Sequence, residues 1–189
     1  MRGSAEGGEN GGPTMGLFRG RRDDGDDEPA PTHYRMREKM FSIGDDYWIE
    51  TDHGDRAFKV NGKALHIRDT LVIEDPSGRE LFKVQEKKLS VRDSMKIERD
   101  DDTIATVKKA LISPLREKFE VNVDEGDDYE AKGNIDDHEY KIERDGDKVA
   151  EVSKRWFRVR DTYGIEIAPG EDAPMILAIA VCIDRMSHD

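Results

Sequence analysis

One cysteine in 189 residues, Cys182, excludes a disulfide framework or a thiolate metal cluster within a single chain. It lies inside an apolar run, where a small buried hydrophobe is expected; a reactive thiol needs an accessible, electropositive setting. Aromatics are scarce at 7%, and positive charge is outnumbered, with 31 Lys and Arg against 43 Asp and Glu, net −12. That deficit argues against nucleic acid as a partner, because such binding relies on clustered Lys and Arg. It also weakens attraction to anionic lipid. No apolar run approaches the roughly 20 residues needed to span a bilayer. No hydrophobic leader opens the chain, so a cytoplasmic protein is expected, with a peripheral position at the inner membrane surface as the alternative.

Chemistry-bearing motifs are missing too. The five histidines (33, 53, 66, 138, 188) form no His-x-x-x-His pair, and there is no Gly-x-Ser-x-Gly elbow or phosphate loop. The expectation is therefore a protein with no catalytic residues, no metal site and no cofactor.

What the chain does have is repetition. Leu65-His-Ile-Arg-Asp-Thr-Leu-Val-Ile-Glu74, Leu89-Ser-Val-Arg-Asp-Ser-Met-Lys-Ile-Glu98 and Phe157-Arg-Val-Arg-Asp-Thr-Tyr-Gly-Ile-Glu166 are three copies of one phrase. A longer unit of strand, turn, strand and Lys recurs at 72–87, 96–109 and 141–154. Such self-similarity marks one supersecondary unit used several times. From His33 onward apolar residues alternate with polar ones, as at Phe58/Val60, Phe82/Val84, Phe119/Val121/Val123 and Tyr140/Ile142, which predicts half-buried strands. Asn61-Gly62, Pro76-Ser-Gly78, Asp100-Asp-Asp102 and Asp145-Gly146 supply hairpin turns between them. About twelve strands of ordinary length follow. Closing them into a barrel removes both exposed edges.

The last element breaks the rhythm. From Met175 to Ile183 every residue is apolar, with Pro174 suited to a first helical turn and Glu171 and Asp172 favourable at a helix N-terminus. A helix apolar on every face must be buried all round, and a barrel of about twelve strands is too wide to be filled by its own side chains. The fold predicted is thus mainly β, a closed antiparallel barrel enclosing a C-terminal helix at about 174–186. Residues 1–32, Gly-rich then charged, read as a disordered tail preceding a single domain at 33–189. The tail carries four basic and seven acidic residues, which leaves −9 of the −12 to the domain.

Tyr34-Arg-Met-Arg-Glu-Lys-Met-Phe-Ser-Ile43, the Ile-Arg-Asp and Val-Arg-Asp phrases, and above all Tyr163-Gly-Ile-Glu-Ile167 followed by the apolar run and Ile183-Asp-Arg-Met186 resemble the LURP-one-related family. That family sits in the tubby C-terminal-like superfamily with tubby proteins and phospholipid scramblases, and the likeness covers residues 34–186. The resemblance implies a twelve-stranded barrel around a C-terminal helix, and a non-catalytic binding or scaffold role. It also implies two alternatives: a peripheral membrane protein binding phosphoinositide through a basic patch, or a scramblase-like calcium-responsive protein. The partner expected is a protein or a phospholipid headgroup, and the chain is expected to be a monomer.

For lipid or anion binding the candidates are Lys87, Lys88, Lys108, Lys109, Lys154 and Arg155, each at the end of a repeated hairpin. The pairs Arg68/Asp69, Arg92/Asp93 and Arg160/Asp161 tempt as a site, but neighbours on a strand face opposite ways, so turn chemistry is the expected role. Between Asp161 and Asp172, where scramblases carry an acidic loop, Tyr163 and Ile165 stand where calcium would want oxygen donors. Trp48 and Trp156 read as barrel-wall aromatics.

Overall fold

The computed structural model describes residues 29–37, 46–62, 70–87, 93–113, 116–157 and 162–187. Along the chain lie β1 (Thr32–Arg37), β2 (Tyr47–Thr51), β3 (Arg56–Asn61), β4 (Thr70–Glu74), β5 (Glu80–Glu86) and β6 (Ser94–Arg99). Then come β7 (Asp102–Ser113), β8 (Arg116–Val123), β9 (Tyr129–Asn134), β10 (Glu139–Arg144) and β11 (Asp147–Ser153). A 3-10 turn (Lys154–Trp156), β12 (Thr162–Ile167) and the helix α1 (Ala173–Ser187) complete it. Each strand pairs antiparallel with the next, and β1 closes against β12, Thr32 facing Ile167 and Arg37 facing Thr162. The closed twelve-stranded barrel with one C-terminal helix is the architecture expected from the alternation and the terminal apolar run. The tail assigned to residues 1–32 lies outside the described residues up to Glu28; Pro29–Pro31 lead into β1.

Alternation decides what faces inward. Ile49, Val60, Ile73, Val84, Ile97, Val107, Phe119, Val121, Ile142 and Ile165 are fully buried and point at α1. On the helix, Met175 to Asp184 and Met186 are all buried, so no face reaches water. Asp172 caps its start, its side-chain Oδ1 accepting from Met175 N at 3.1 Å and its carbonyl from Ile176 N at 3.0 Å. Cys182 is buried within this core, which pushes its thiol well above the ordinary range.

The structure gives the repeated Ile-Glu ending a physical meaning. At Ile49-Glu50, Ile73-Glu74, Ile97-Glu98 and Ile142-Glu143 the pairing register shifts by a β-bulge at that dipeptide. Each bulge adds twist where the wall must curve round the helix. The isoleucine is buried every time, and the glutamate faces outward onto a cation: Glu50 on Arg35, Glu74 on Lys59, Glu98 on Lys96, Glu143 on Lys132. The fifth copy, Ile165-Glu166, has the same inward and outward faces but runs without a bulge. Two-residue turns close β6–β7 and β10–β11; Asp100, Asp101, Asp145 and Gly146 all take positive φ, as right-twisted hairpins demand.

Two outcomes follow. Leu177, fully buried on α1, leaves a cavity when truncated, so Leu177→Ala lowers unfolding free energy by about 2–5 kcal/mol; urea denaturation measures this, with exposed Lys141→Ala as the neutral control. In the β4–β5 turn the Asp75 carboxylate accepts from the Ser77 hydroxyl at 2.5 Å and from the Arg79 amide, which holds its pKa at about 2. A pKa below its unfolded value means the turn's contribution is whole above about 3.9 and is lost as pH falls through about 2. Carbon-detected titration of Asp75 should give that low midpoint, and Ser77→Ala should raise it.

Candidate functional site

Because α1 fills the barrel, chemistry can be offered only at the two ends and on the outer wall. At the end where α1 finishes, the β9–β10 turn carries His138 with φ +53°, closed by a bond from its amide to Ile135 O at 2.9 Å. Its ring is buried, with Nε2 2.6 Å from Asp184 Oδ1 and its centroid 4.3 Å from that of Tyr163. Tyr47 and Tyr140 surround the same carboxylate; burial first, and then the Asp184 charge, lift both phenols far above their ordinary range. Gly133 lets β9 come this close to β10: a Cβ there would sit 2.5 Å from Glu139 O, and its φ is +150°. The arrangement ties the last turn of the helix to the wall.

On the outer wall, β12 and β1 form a second assembly. The 3-10 turn is held by Glu139, whose carboxylate accepts from Ser153 Oγ (3.0 Å) and Lys154 N (3.2 Å) and lies 3.5 Å from Arg155 Nε. Trp156 and Phe157 then lie across Gly164 on β12. A Cβ at Gly164 would come within 2.7 Å of Phe157 and 2.8 Å of Trp156, so only glycine admits the two rings. His33 meets the Trp156 ring edge-on at 5.9 Å, and Arg35 stands 6.0 Å from the Phe157 ring. Among the described residues Trp156 is the exposed large hydrophobe, at 38% accessibility, and Arg155 beside it is 82% exposed in its side chain.

The opposite end, where α1 begins, opens as a cavity of about 650 Å³. Its apolar floor is Ile104, Val123, Tyr129 and Met175, and its rim carries Arg99, Arg144 and carboxylates from three connections. Asp128, beside this rim, pins its turn by accepting from Val123 N and Asn122, which lowers its pKa.

The expected basic positions fall into two groups. Lys87 and Lys108 meet through β6, Lys87 N donating to Ser94 O and Ser94 facing Lys108. Lys108 points outward to Asn122, while Lys109 turns toward the Phe119 ring at 5.9 Å. Lys154 and Arg155 stand after β11, four strands from β7 and six from β5 in the twelve-strand order. At about 4.8 Å per strand the nearer separation is roughly 19 Å along the wall. Lys88, Arg68/Asp69, Arg92 and Arg160/Asp161 lie outside the described residues; Asp93 is exposed, and its carbonyl accepts from Lys109 N. Along the stretch ending at Asp172, Asp161 is also outside them. Tyr163 and Ile165 are core residues, Glu166 pairs with His33 and Lys148 on the outer wall, and Asp172 caps α1. No group of three or more His, Cys, Asp or Glu among the described residues is placed to hold a metal ion. No helix among them is long and apolar enough to cross a membrane.

Sequence reasoning missed the His138–Asp184 pair. The signal available was one acid, Asp184, at the end of an otherwise apolar helix; its partner is 46 residues away in a turn.

A closed antiparallel barrel sheathing its own C-terminal helix defines a tubby-like architecture. The LURP-one-related family model matches residues 32–184, and the chain belongs to that family. The crystal structure of a protein from Arabidopsis thaliana shares the fold, with a TM-score of 0.62 and 19% identity over 84% of this chain and 93% of that one. Comparison with curated proteins gave no match.

Breaking the buried pair should be costly. His138→Asn, chosen because Asn tolerates the left-handed backbone, is expected to lose about 3–5 kcal/mol by leaving the Asp184 charge buried without its imidazole. A double-mutant cycle with Asp184→Asn, read by urea denaturation, should give a coupling above about 1 kcal/mol.

Proposed function

We propose that this protein is a non-catalytic binding or scaffold module whose working surface is the outer wall at β12 and β1. The observation that carries the reading is the occupied interior: the helix residues from Met175 to Asp184 are buried, so the barrel encloses its own chain where other barrels enclose a ligand. Recognition is left to the outside. There Trp156 is exposed beside Arg155 and Lys154, and an aromatic with an adjacent cation is a composition enriched at interface hot spots. The rings rest on Gly164 and on a turn fixed by Glu139, so the face is formed before any partner arrives.

A second reading, a peripheral membrane protein, draws on the same face. An indole with basic neighbours suits the headgroup level of an anionic bilayer, and Lys154 and Arg155 are two of the positions expected to bind phosphate groups.

Trp156→Ala combined with Arg155→Glu tests both, since the rings and the guanidinium are outside the core and the melting temperature should stay within a few degrees of wild type. A partner retained by the wild-type protein from native lysate should be lost by the double variant. Flotation with anionic vesicles separates the readings: binding that weakens as salt rises supports the membrane role. Equal retention by variant and wild type in both assays would refute the choice of surface.

A further inference from the structure

We propose that His33 makes the outer-wall face responsive to pH: on taking up a proton its ring grips Trp156 and Glu166 more firmly and renders the face more positive. This regulation belongs to the proposed working surface and rests on that reading. Among the described histidines the setting of His33 is its own. His138 is buried against Asp184 at the end of α1, and the His53 side chain is 83% exposed with Asp52 Oδ1 at 3.5 Å. His33 is half-buried and touches both the exposed indole and a carboxylate of the wall.

Nε2 of His33 lies 3.1 Å from Glu166 Oε2, the two residues facing each other in the β1–β12 register. A carboxylate can only accept, so in the neutral ring this bond places the hydrogen on Nε2 and leaves Nδ1 to receive a second proton. The ring stands at 84° to that of Trp156, with 5.9 Å between centroids, inside the reach of a cation–π contact. A proton on Nδ1 therefore changes two contacts at once. The Glu166 bond gains a charge on its donor, and the ring becomes a cation beside the indole. Trp156 is held to receive it, because it and Phe157 lie across Gly164 after a turn fixed by Glu139.

The charges around His33 come from every neighbouring element. On β11, Lys148 binds Glu151 at 2.8 Å and stands 3.7 Å from Glu166; on β1, Arg35 holds Glu50 of β2; after β11, Arg155 lies 3.5 Å from Glu139. Lys154 is fixed through its amide by the same Glu139. The β2–β3 turn adds Asp52, His53 and Asp55, the Asp52 amide donating to His33 O at 3.3 Å. Carboxylates, lysines and arginines ordinarily keep their charge between about pH 5 and 8, the range over which an imidazole changes its own. Of this set, the two histidines are what pH alters. A proton on His33 adds one positive charge beside Arg155 and Lys154 and steadies the indole that a partner buries. A steadier indole has less freedom to lose on binding, and the added charge favours an acidic partner surface. Binding at this face is then stronger on the acid side.

The test follows the indole N–H signals of Trp48 and Trp156 and the ring signals of His33 in the full chain by NMR, from about pH 8 to about pH 5.5. The Trp156 signal is expected to move in one step that shares its midpoint with His33, while Trp48, beside Arg56 on β2, stays in place. His33→Gln, whose amide still donates to Glu166 but gains no proton, should abolish the Trp156 step; His53→Gln should leave it. In a Trp48→Phe chain, acrylamide should quench Trp156 roughly two-fold less at the acid end, the scale set by an exposed cation–π contact. A flat Trp156 signal, unchanged quenching, or a step that follows His53 or survives His33→Gln overturns the proposal. Should His33→Gln fold poorly, the comparison of midpoints in the wild-type chain decides alone. The titration uses no partner, so it fails or succeeds independently of the choice of the outer wall as the working surface.

Discussion

The structure depends on one burial event: an α-helix with no polar face until its last turn, enclosed by the wall that precedes it. Neither partner is complete alone. A twelve-strand barrel has an interior wider than its own inward side chains can fill, and an all-apolar helix left in water would expose every face. Isolated helices of this length are also marginal, so α1 gains its stability from the wall. Small residues make the fit possible. Ala178 and Ala180 are fully buried and give the helix a narrow waist against inward Ile, Val and Phe side chains.

Much of this is legible in the sequence because burial on one face leaves a strict period of two, and burial on all faces leaves none. Alternation marked the strands; its abrupt loss after Pro174 marked the helix, within a residue at each end (about 174–186 expected, Ala173–Ser187 observed). Other features were visible without being interpretable. The Ile-Glu ending stood out as a repeat, but a bulge is a relation between two strands, and one strand's sequence does not state where its neighbour's register slips. Only the pairings reveal that the dipeptide buries an isoleucine, bends the wall and sets a glutamate outward.

The candidate sites were less legible for a related reason. Lys87, Lys108, Lys154 and Arg155 look equivalent because each ends a repeated hairpin. Equivalence in a repeat becomes distance round a circumference, and the barrel order spreads them over as much as half the wall. The His138–Asp184 contact joins a turn to a helix end, with no periodic signal connecting the two. Gly164 is similar: its place in Gly-Ile-Glu-Ile is plain, but the need for it comes from Trp156 and Phe157 lying overhead.

The dense outward charge follows from closure rather than from a need for extra stability. An exposed pair such as Lys148–Glu151 contributes roughly 0–1 kcal/mol, too little to hold a barrel together. Cross-strand pairs have another effect. Since a one-residue slip turns every side chain of the slipped strand to the opposite face, a slip of β2 would break Arg35–Glu50 and a slip of β10 would break Lys132–Glu143, each driving a glutamate against α1. The cost of burying them unpaired is far larger than the gain from pairing them outside. The paired outward charges thus act mainly against wrong registers.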